Sequence, residues 1–236
     1  MSIRSCRHIV VLTGAGVSAE SGLGTFRDKD GLWTRYNLED VATPEGFRRN
    51  PELVCEFYNA RRENLRKAAP NAAHKALAAF EQRFQGRFTL ITQNVDDLHE
   101  KGGSAAPVHM HGRLDELRCQ HCATVYAYEA PIAPDSVCPA CGRTGGQRPN
   151  VVWFGEMPLY MDVIEAALAD CDLFVAIGTS ATVYPAAGFV DRVRALGRAR
   201  CVELNLEPTA ASSLFDETRH GPASEVVPGF FASLMP

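Results

Sequence analysis

The chain has 236 residues, of which 46% are hydrophobic, enough for one large domain with a buried core or for one domain carrying a smaller insertion. Its formal net charge of −4 argues against broad electrostatic binding of nucleic acid or an anionic membrane, so neither partner is expected. Its longest apolar runs, at 9–12 and 173–177, are far shorter than the roughly 18 residues of a membrane-spanning helix.

Strand and helix patterns alternate along the chain. The first, HIVVLTGAG at 8–16, is a buried β-rich run that ends in glycines and leads into a helix start at VSAESG. Helices are predicted at about 51–68, at 71–84 with Asn71 as a cap, at 159–169 and near 186–197. Further strands are predicted at 88–94, 106–112, 151–156, 172–180 and 201–207. This order predicts the α/β class, with a Rossmann-like, mainly parallel sheet covered by helices on both faces.

The stretch from 113 to about 150 differs, because cysteines, prolines and glycines crowd together with few apolar runs. It contains two C-x-x-C pairs separated by 15 residues, formed by Cys119, Cys122, Cys138 and Cys141. Two tight turns of this kind present four thiolates to one Zn²⁺, and a complete shell of four makes the metal structural. We predict a small inserted zinc-binding module at 113–150, with the helical segment at about 45–70 packed against it. Residues 1–112 and 151–236 would then form the Rossmann-like domain.

The clustered cysteines also allow two alternatives to a structural zinc module. A disulfide framework is one, although a chain of this length does not need such staples. A nucleic-acid-binding zinc ribbon is another, weakened because the nearby arginines form no dense patch. The four remaining cysteines, at 6, 55, 171 and 201, lie in apolar settings and are expected to be small core residues. Since no convincing secretory signal is present either, we expect a cytoplasmic protein, and we expect a monomer.

The segment GAGVSA, residues 14–19, satisfies the looser form of the dinucleotide-binding fingerprint. Its glycines permit a tight turn and close approach to a pyrophosphate, and a following helix N-terminus offers N–H groups to the charge. Taken alone, the glycines are equally well explained by a structural turn. The acidic residue that usually ends the second strand is missing, because Glu39 and Asp40 end no β-rich run. Asn205 and Glu207 stand at a later strand end, which predicts a variant Rossmann domain.

A second group of polar residues follows the predicted strand at 88–94. Gln93, Asn94 and Asp96 occupy the crevice position at which open α/β sheets bind ligands. The segment HMHG adds His109 and His111 nearby. A lone histidine in apolar surroundings is usually a core residue, but two imidazoles beside an amide- and carboxylate-rich strand end favour a general base.

Together these residues resemble the sirtuin family of NAD-dependent protein lysine deacylases. The resemblance covers nearly the whole chain in ordered motifs: GAGVSAESGLGTFR, TQNVDDLH, HG, the two C-x-x-C pairs, VVWFGE, GTS and NLE. It implies that NAD⁺ is consumed as a co-substrate and that acyl groups are removed from the lysines of partner proteins. The implied products are nicotinamide, 2′-O-acyl-ADP-ribose and free lysine.

The resemblance also implies roles for single residues. His111 would accept a proton from a ribose hydroxyl, with Asn94 and Asp96 as further catalytic residues. The NAD-binding residues would be Gly14, Ala15, Gly16, Ser18, Ala19, Glu20, Thr25, Phe26, Arg27, Trp33, Gln93, Asn94, Val95, Asp96, Gly178, Thr179, Ser180, Asn205, Leu206, Glu207 and Ala223. VVWFGE would be an edge strand that pairs with the substrate backbone through Val152, Phe154, Gly155 and Glu156.

Three features resemble the desuccinylase-like, class III bacterial branch of that family. Thr25 stands where many members carry Asp, VATP contains the small Ala42, and Tyr58 and Arg61 share a helix face. In that branch Tyr58 and Arg61 would bind the distal carboxylate of a succinyl, malonyl or glutaryl lysine. Without the resemblance this helix face would be ordinary solvated surface, as we expect for the neighbouring Arg62 and Glu63.

Two other functions remain open from the sequence. One is mono-ADP-ribosyl transfer, in which another acceptor captures the ribose. The other is a non-catalytic NAD- or ADP-ribose-binding zinc protein, which would be expected to lack a base such as His111 or part of the ribose site.

Overall fold

The computed structural model describes residues 6–24 and 36–235. Its strands are β1 (His8–Thr13), β2 (Arg87–Thr92), β3 (Val108–His109), β4 (Gly112–Cys119), β5 (Val125–Ala127), β6 (Gln147–Val151), β7 (Leu173–Ile177), β8 (Arg200–Asn205) and β9 (Glu217–His220). Its helices are α1 (Leu38–Val41), α2 (Pro44–Arg49), α3 (Pro51–Lys67), α4 (Ala72–Arg83), α5 (Leu98–Lys101), α6 (Met161–Asp170), α7 (Phe189–Leu196) and α8 (Ala223–Leu234).

The larger sheet has six strands in the order β3-β2-β1-β7-β8-β9, and every neighbouring pair is parallel. Strand β1 is apolar on both faces, so Ile9 enters one core and Val10 enters the other. Helices α4 and α8 cover the first face, and α6 and α7 cover the second. The predicted Rossmann-like sheet with helices on both faces is confirmed.

Strand order changes direction at the centre of this sheet. From β1 the chain runs to β2 and β3 on one side, and later to β7, β8 and β9 on the other. The loops after β1 and β7 therefore leave the sheet side by side and in opposite directions. In open α/β sheets this crevice is where ligands bind.

The smaller sheet is antiparallel, with the order β5-β4-β6. Its apolar side shares a third core with helix α3, in which Phe57 and Leu65 pack with Leu117, Ile132 and Trp153. Because both partners bury their side chains in this one core, α3 and the cysteine-rich segment are physically coupled. The domain boundaries at 112 and 151 stay a prediction, and the shared core agrees with the expectation that the segment at about 45–70 packs against the module.

Several sequence predictions are wrong in detail. The strand predicted at 151–156 ends at Val151 and belongs to the smaller sheet. Residues 152–156 form a turn instead, because the N–H groups of Val152 and Phe154 donate to the carbonyls of His111 and Ala42, which lie on separate segments. The helix expected after GAGVSA consists of two short 3₁₀ turns, Ala15–Val17 and Ala19–Ser21.

The prediction that Arg62 is an exposed charge is also wrong, because only 4% of its surface is accessible. Its guanidinium donates hydrogen bonds to the carbonyls of Ala130 and Tyr128, which holds α3 against the cysteine-rich segment. Glu63 is exposed as expected and pairs with Arg66 and Lys67.

The C-terminal strand β9 and helix α8 lie outside the elements that the sequence predicts. Pro228 and Gly229 interrupt the helical pattern of α8, but Val227, Phe230 and Phe231 lie in the first core and hold the helix in place. Across the described ranges 6–24 and 36–235, no helix combines the length and apolarity that crossing a bilayer requires.

Candidate active site

The loops after β1 and β7 contact each other through glycine backbone. The N–H of Gly14 donates to the carbonyl of Ile177 at 3.0 Å, and that of Gly16 donates to the carbonyl of Gly178 at 2.8 Å. A Cβ at Gly16 would lie 2.7 Å from the Cα of Gly178, which itself has a φ of +58°. No larger residue fits at either position, so these glycines are required for the loop contact and leave the crevice lined by backbone.

Thr179 joins three strand ends beside this crevice. Its hydroxyl accepts a hydrogen bond from Gln93 Nε2 at 3.0 Å, and its carbonyl accepts one from Asn205 Nδ2 at 2.7 Å. The ends of β2, β7 and β8 are therefore fixed relative to one another. In this way the structure brings together three of the predicted NAD-binding residues. Ser180 lies next along the loop, and its hydroxyl is 2.7 Å from that of Thr182.

A buried polar cluster lies between the β1 and β2 loops. The Ser18 hydroxyl donates to Asp96 Oδ2 at 3.1 Å and accepts from Asn94 Nδ2 at 3.1 Å. All three side chains are buried. Burial raises the pKa of Asp96, although hydrogen bonds from the Leu98 N–H and the Ser18 hydroxyl oppose the rise. The cluster offers amide and carboxylate groups suited to a polar ring substituent or a sugar hydroxyl.

The two histidines of HMHG have different surroundings. His111 Nδ1 lies 3.0 Å from the carbonyl oxygen of Gln93, so Nδ1 must donate, while Nε2 bonds to no residue in the described part of the chain. His109 has both ring nitrogens engaged, Nδ1 with the Asn94 carbonyl and Nε2 with Glu100 at 2.8 Å. Burial lowers the pKa of His111, partly offset by its bond to Gln93. Of these two histidines, only His111 presents an available basic nitrogen.

Two further histidines lie behind the polar cluster, and sequence reasoning missed both. His74 Nε2 is 3.4 Å from the Ser18 hydroxyl, while its Nδ1 completes the N-terminal cap of α4 with Asn71. The ring of His99 lies 4.9 Å from that of His74, and its Nε2 is 2.9 Å from the hydroxyl of Thr13. The spacing NAAH could have suggested the cap. No local pattern indicates the contact with Ser18, which lies 56 residues away.

Helix α3 brings Tyr58 and Arg61 to the other side of the site. Tyr58 is buried, and its hydroxyl accepts a hydrogen bond from Trp153 Nε1 at 2.8 Å. The half-buried Arg61 guanidinium lies over the rings of Phe57 and Tyr58, at 5.7 and 5.5 Å from their centroids. Burial lowers the pKa of Arg61, whereas the nearby Tyr58 and Asp96 raise it. Arg61 therefore lies within electrostatic range of Asp96 in the polar cluster.

The segment 152–156 connects helix α3 to His111. Phe154 donates its N–H to the carbonyl of the buried Ala42 at 3.0 Å, and Val152 donates to the carbonyl of His111 at 2.9 Å. The Glu156 carboxylate is bound by the guanidinium of Arg148 at 2.7 and 2.9 Å. Phe154 and Gly155 remain exposed at this turn.

Other predicted residues lie at the margin of the site or outside the described ranges. Glu20 accepts hydrogen bonds from the N–H and hydroxyl of Ser224, which lower its pKa and place Ala223 beside the β1 loop. Leu206 and Glu207 are exposed after β8. The predictions for Thr25, Phe26, Arg27 and Trp33 fall on residues outside the described ranges. Roles for Ala19 and Val95, like those of the whole predicted set, stay predictions.

The four cysteines of the smaller sheet converge on one point. Their Sγ atoms all lie within 4.8 Å of one another, with Cys119–Cys141 at 3.9 Å and Cys122–Cys138 at 3.7 Å. A Zn²⁺ with four thiolates at about 2.3 Å has sulfur–sulfur edges of about 3.8 Å. The donor set therefore fits a structural zinc ion in kind and in the two sulfur–sulfur distances given.

The glycine loops lie where the strand order reverses, and this places the chain among the Rossmann-like nucleotide-binding proteins. The four-thiolate module restricts the chain to those members of the class that carry such a module. The Sir2 family model matches residues 14–185. The chain is 60% identical over 236 residues to the NAD-dependent protein deacylase of Caulobacter vibrioides, covering 99% of each chain. It therefore belongs to the Sir2 family, the sirtuins.

Two other comparisons agree. The NAD-dependent protein deacylase of Escherichia coli K12 is 52% identical over 230 residues, which cover 97% of this chain and 82% of the relative. A crystal structure described as a Sir2 homolog–NAD complex superposes with a TM-score of 0.89 at 40% identity, covering 99% of this chain and 91% of that one.

Proposed function

We propose that this protein is an NAD-dependent protein deacylase that removes acyl groups from lysine side chains. The observation that carries the proposal is the state of His111, whose Nδ1 is held by Gln93 while Nε2 stays available beside a nucleotide-binding crevice. When bound, NAD supplies a ribose carbon that can be attacked as nicotinamide leaves. Relatives of 52–60% identity that are named NAD-dependent protein deacylases support the same reaction.

The types of residue that line the crevice are suited to binding NAD. Gly14 is buried under the loop contact, whereas Ala15 and Gly16 are partly exposed, and the Gly14–Ala15–Gly16 loop would approach a pyrophosphate from that side. Thr179 in the loop after β7 and Asn205 at the end of β8 would meet the adenosine half. Ser18, Asn94 and Asp96 would hold the nicotinamide amide and its ribose, since together they offer a hydroxyl, an amide and a carboxylate.

His111 acts as the general base in this proposal. Its Nε2 would accept a proton from a ribose hydroxyl of bound NAD, which would make that oxygen nucleophilic toward the acyl carbon. Gln93 fixes the tautomer, so no ring reorientation is needed before the transfer. The lowered pKa of His111 keeps the ring neutral, and therefore basic, at neutral pH.

Acyl-group preference is the finer part of the proposal. Tyr58 and Arg61 would bind the carboxylate of succinyl- or malonyl-lysine, as expected of the desuccinylase-like branch. The position of the Arg61 guanidinium supports this, because it is half-buried and near Asp96 rather than turned to solvent. A charge in such surroundings gains more from an anionic partner than an exposed charge does.

The zinc ion would hold the smaller sheet together and take no part in the chemistry, since four thiolates leave no open position. We also propose that the protein is a cytoplasmic monomer that binds no nucleic acid directly. The eight cysteines all lie in the described ranges and none forms a disulfide there, which suits a reducing compartment. Gel filtration and cell fractionation test these two points.

The proposal is tested with one peptide carrying acetyl-, succinyl- or butyryl-lysine, incubated with NAD. We expect stoichiometric release of nicotinamide, deacylated peptide and O-acyl-ADP-ribose, measured by mass spectrometry. A folded His111→Ala variant should lose at least about a hundredfold in kcat. Labelling of protein by ADP-ribose without deacylation would identify a mono-ADP-ribosyltransferase instead, and unchanged turnover by the variant would remove His111 from the mechanism.

A further inference from the structure

A cleft of about 170 Å³ adjoins the turn at 152–156 on the side of the smaller sheet. Its wall includes Arg118, Arg148, Val152, Glu156 and Met157. The space equals roughly five or six water molecules of about 30 Å³ each, which is enough for one short side chain. The cleft therefore opens beside the segment on which a substrate backbone is expected.

Two of the three charged groups in this cleft neutralise each other. The Arg148 guanidinium binds both carboxylate oxygens of Glu156, and it also donates to the carbonyl of Val151 at 2.6 Å. Glu156 accepts a further hydrogen bond from the Trp153 N–H at 2.8 Å. Burial alone would raise the pKa of Glu156, but these hydrogen bonds lower it, so the carboxylate stays ionised and fully engaged.

Arg118 carries the third charge, and it has no counterion of its own. It is exposed, and it makes no hydrogen bond or ion pair within the described ranges 6–24 and 36–235, although its charge also helps to lower the pKa of Glu156. It stands directly opposite Arg148 in the antiparallel pairing of β4 with β6. Because Glu156 already neutralises Arg148, the charge of Arg118 is left without a full counterion in this cleft. The cleft therefore has a net positive charge.

We propose that Arg118 makes this cleft a subsite for the carboxylate of a glutamate or aspartate that lies near the acyl-lysine in a protein substrate. The inference rests on the proposed function, because it assigns a substrate class to the same deacylation site. A guanidinium binds a carboxylate through paired N–H donors. The neutral Arg148–Glu156 pair forms a rigid wall, and the exposed side chain of Met157 offers apolar contact for the methylenes of the incoming residue.

The test is a peptide series that contains one acetyl-lysine, so that the acyl group itself is uncharged. Glutamate is placed singly at each of the three positions on either side, and each peptide is matched with its glutamine isostere. At one position or two adjacent positions, we expect kcat/KM to favour glutamate by about three- to fivefold. The preference should shrink at about 0.5 M NaCl, where exposed charges are screened.

Two variants of Arg118 and one control complete the experiment. Arg118→Gln should bring the ratio of kcat/KM for the glutamate and glutamine peptides to one. Arg118→Glu should reverse the charge preference, so that a matched peptide with lysine at that position is favoured over the glutamate peptide. Arg83→Gln removes one exposed positive charge at the end of α4, outside the cleft, and should keep the wild-type ratio. Zinc content and Tm show whether each variant is folded.

Equal rates for glutamate and glutamine at every position would overturn the subsite and leave the deacylase assignment intact. A preference that survives Arg118→Gln would overturn it as well. If the wild-type enzyme turns over none of the acyl peptides, the proposed function is contradicted, and so is the subsite that rests on it.

Discussion

His111 Nδ1 lies 3.0 Å from the carbonyl oxygen of Gln93, and this contact fixes which nitrogen of the ring can act as a base. A carbonyl oxygen only accepts, so the proton resides on Nδ1 and the lone pair on Nε2. Gln93 also binds Thr179 through its side chain. One residue thus orients the base and joins the β2 and β7 loops of the crevice.

The pH dependence of turnover follows from this environment. Burial lowers the pKa of His111, so the ring is neutral at pH 7 and takes up a proton only in more acidic solution. We expect kcat/KM on an acetyl-lysine peptide to be level from about pH 8 to 7 and to fall in more acidic solution, later than it would for an exposed histidine. The residual activity of His111→Gln should lack this fall, and a variant that retains it would assign the titration to another group.

Acyl selectivity depends on Arg61. Arg61→Met should lower kcat/KM on succinyl-lysine by about a hundredfold or more, because the substrate carboxylate loses its partner in a half-buried site. Acetyl-lysine lacks that carboxylate, so its kcat/KM should fall by less than about tenfold. Arg66→Met on the exposed face of the same helix serves as the control. Equal losses on both substrates would contradict the role of Arg61.

Acid should destabilise the protein through His74 and His99. Burial lowers their folded-state pKa values from 6.5 to about 4 and about 3. Below pH 6.5 the unfolded chain therefore takes up protons that the folded chain does not, and stability falls until the folded-state values are reached. Each histidine contributes a slope of about 1.4 kcal/mol per pH unit in that interval.

Urea unfolding between pH 7 and pH 5 measures this slope. His99→Gln should flatten it relative to the wild type, by about the contribution of one histidine. An unchanged slope would mean that His99 is protonated in the folded protein.

Arg62 is predicted to be a structural residue. Arg62→Met removes the two hydrogen bonds that the buried guanidinium donates to the carbonyls of Tyr128 and Ala130, which should lower the free energy of unfolding by about 2–4 kcal/mol. Lys67→Met removes an exposed ion pair with Glu63 on the same helix and should change it by less than about 1 kcal/mol. If both variants lost a similarly small amount of the free energy of unfolding, the structural role of Arg62 would be contradicted.

Metal removal should act on the smaller sheet first. We expect one zinc per chain, and we expect strong chelation or Cys138→Ala to lower the Tm and expose the third core to dye binding. Zinc-free protein with the wild-type Tm would contradict the structural role of the four thiolates.

The sequence was most informative where chemistry depends on local spacing. Two C-x-x-C pairs predict convergent thiolates, and glycines after a buried strand predict a tight loop, because both signals lie within a few residues. The parallel sheet followed from the alternation of apolar strands and amphipathic helices. These features were recovered without any long-range information.

Long-range packing explains what was missed. The burial of Arg62 depends on carbonyls at 128 and 130, and the contact of His74 with Ser18 spans 56 residues. Neither of these two contacts produces a local sequence pattern from which it could be predicted. The turn at 152–156 alternates like a strand, but its N–H groups find acceptors on two unrelated segments, which overrides the pattern.

The third core connects the zinc-binding segment to the proposed site for one of the two substrates, the acyl-lysine protein. The sheet loops form the proposed nucleotide site, whereas Tyr58 and Arg61 stand on a helix whose packing partners include the zinc-binding segment. Partial loss of zinc should therefore weaken acyl discrimination before it weakens NAD affinity. Metal occupancy would then tune which modified proteins are processed, while the capacity to consume the nucleotide persists.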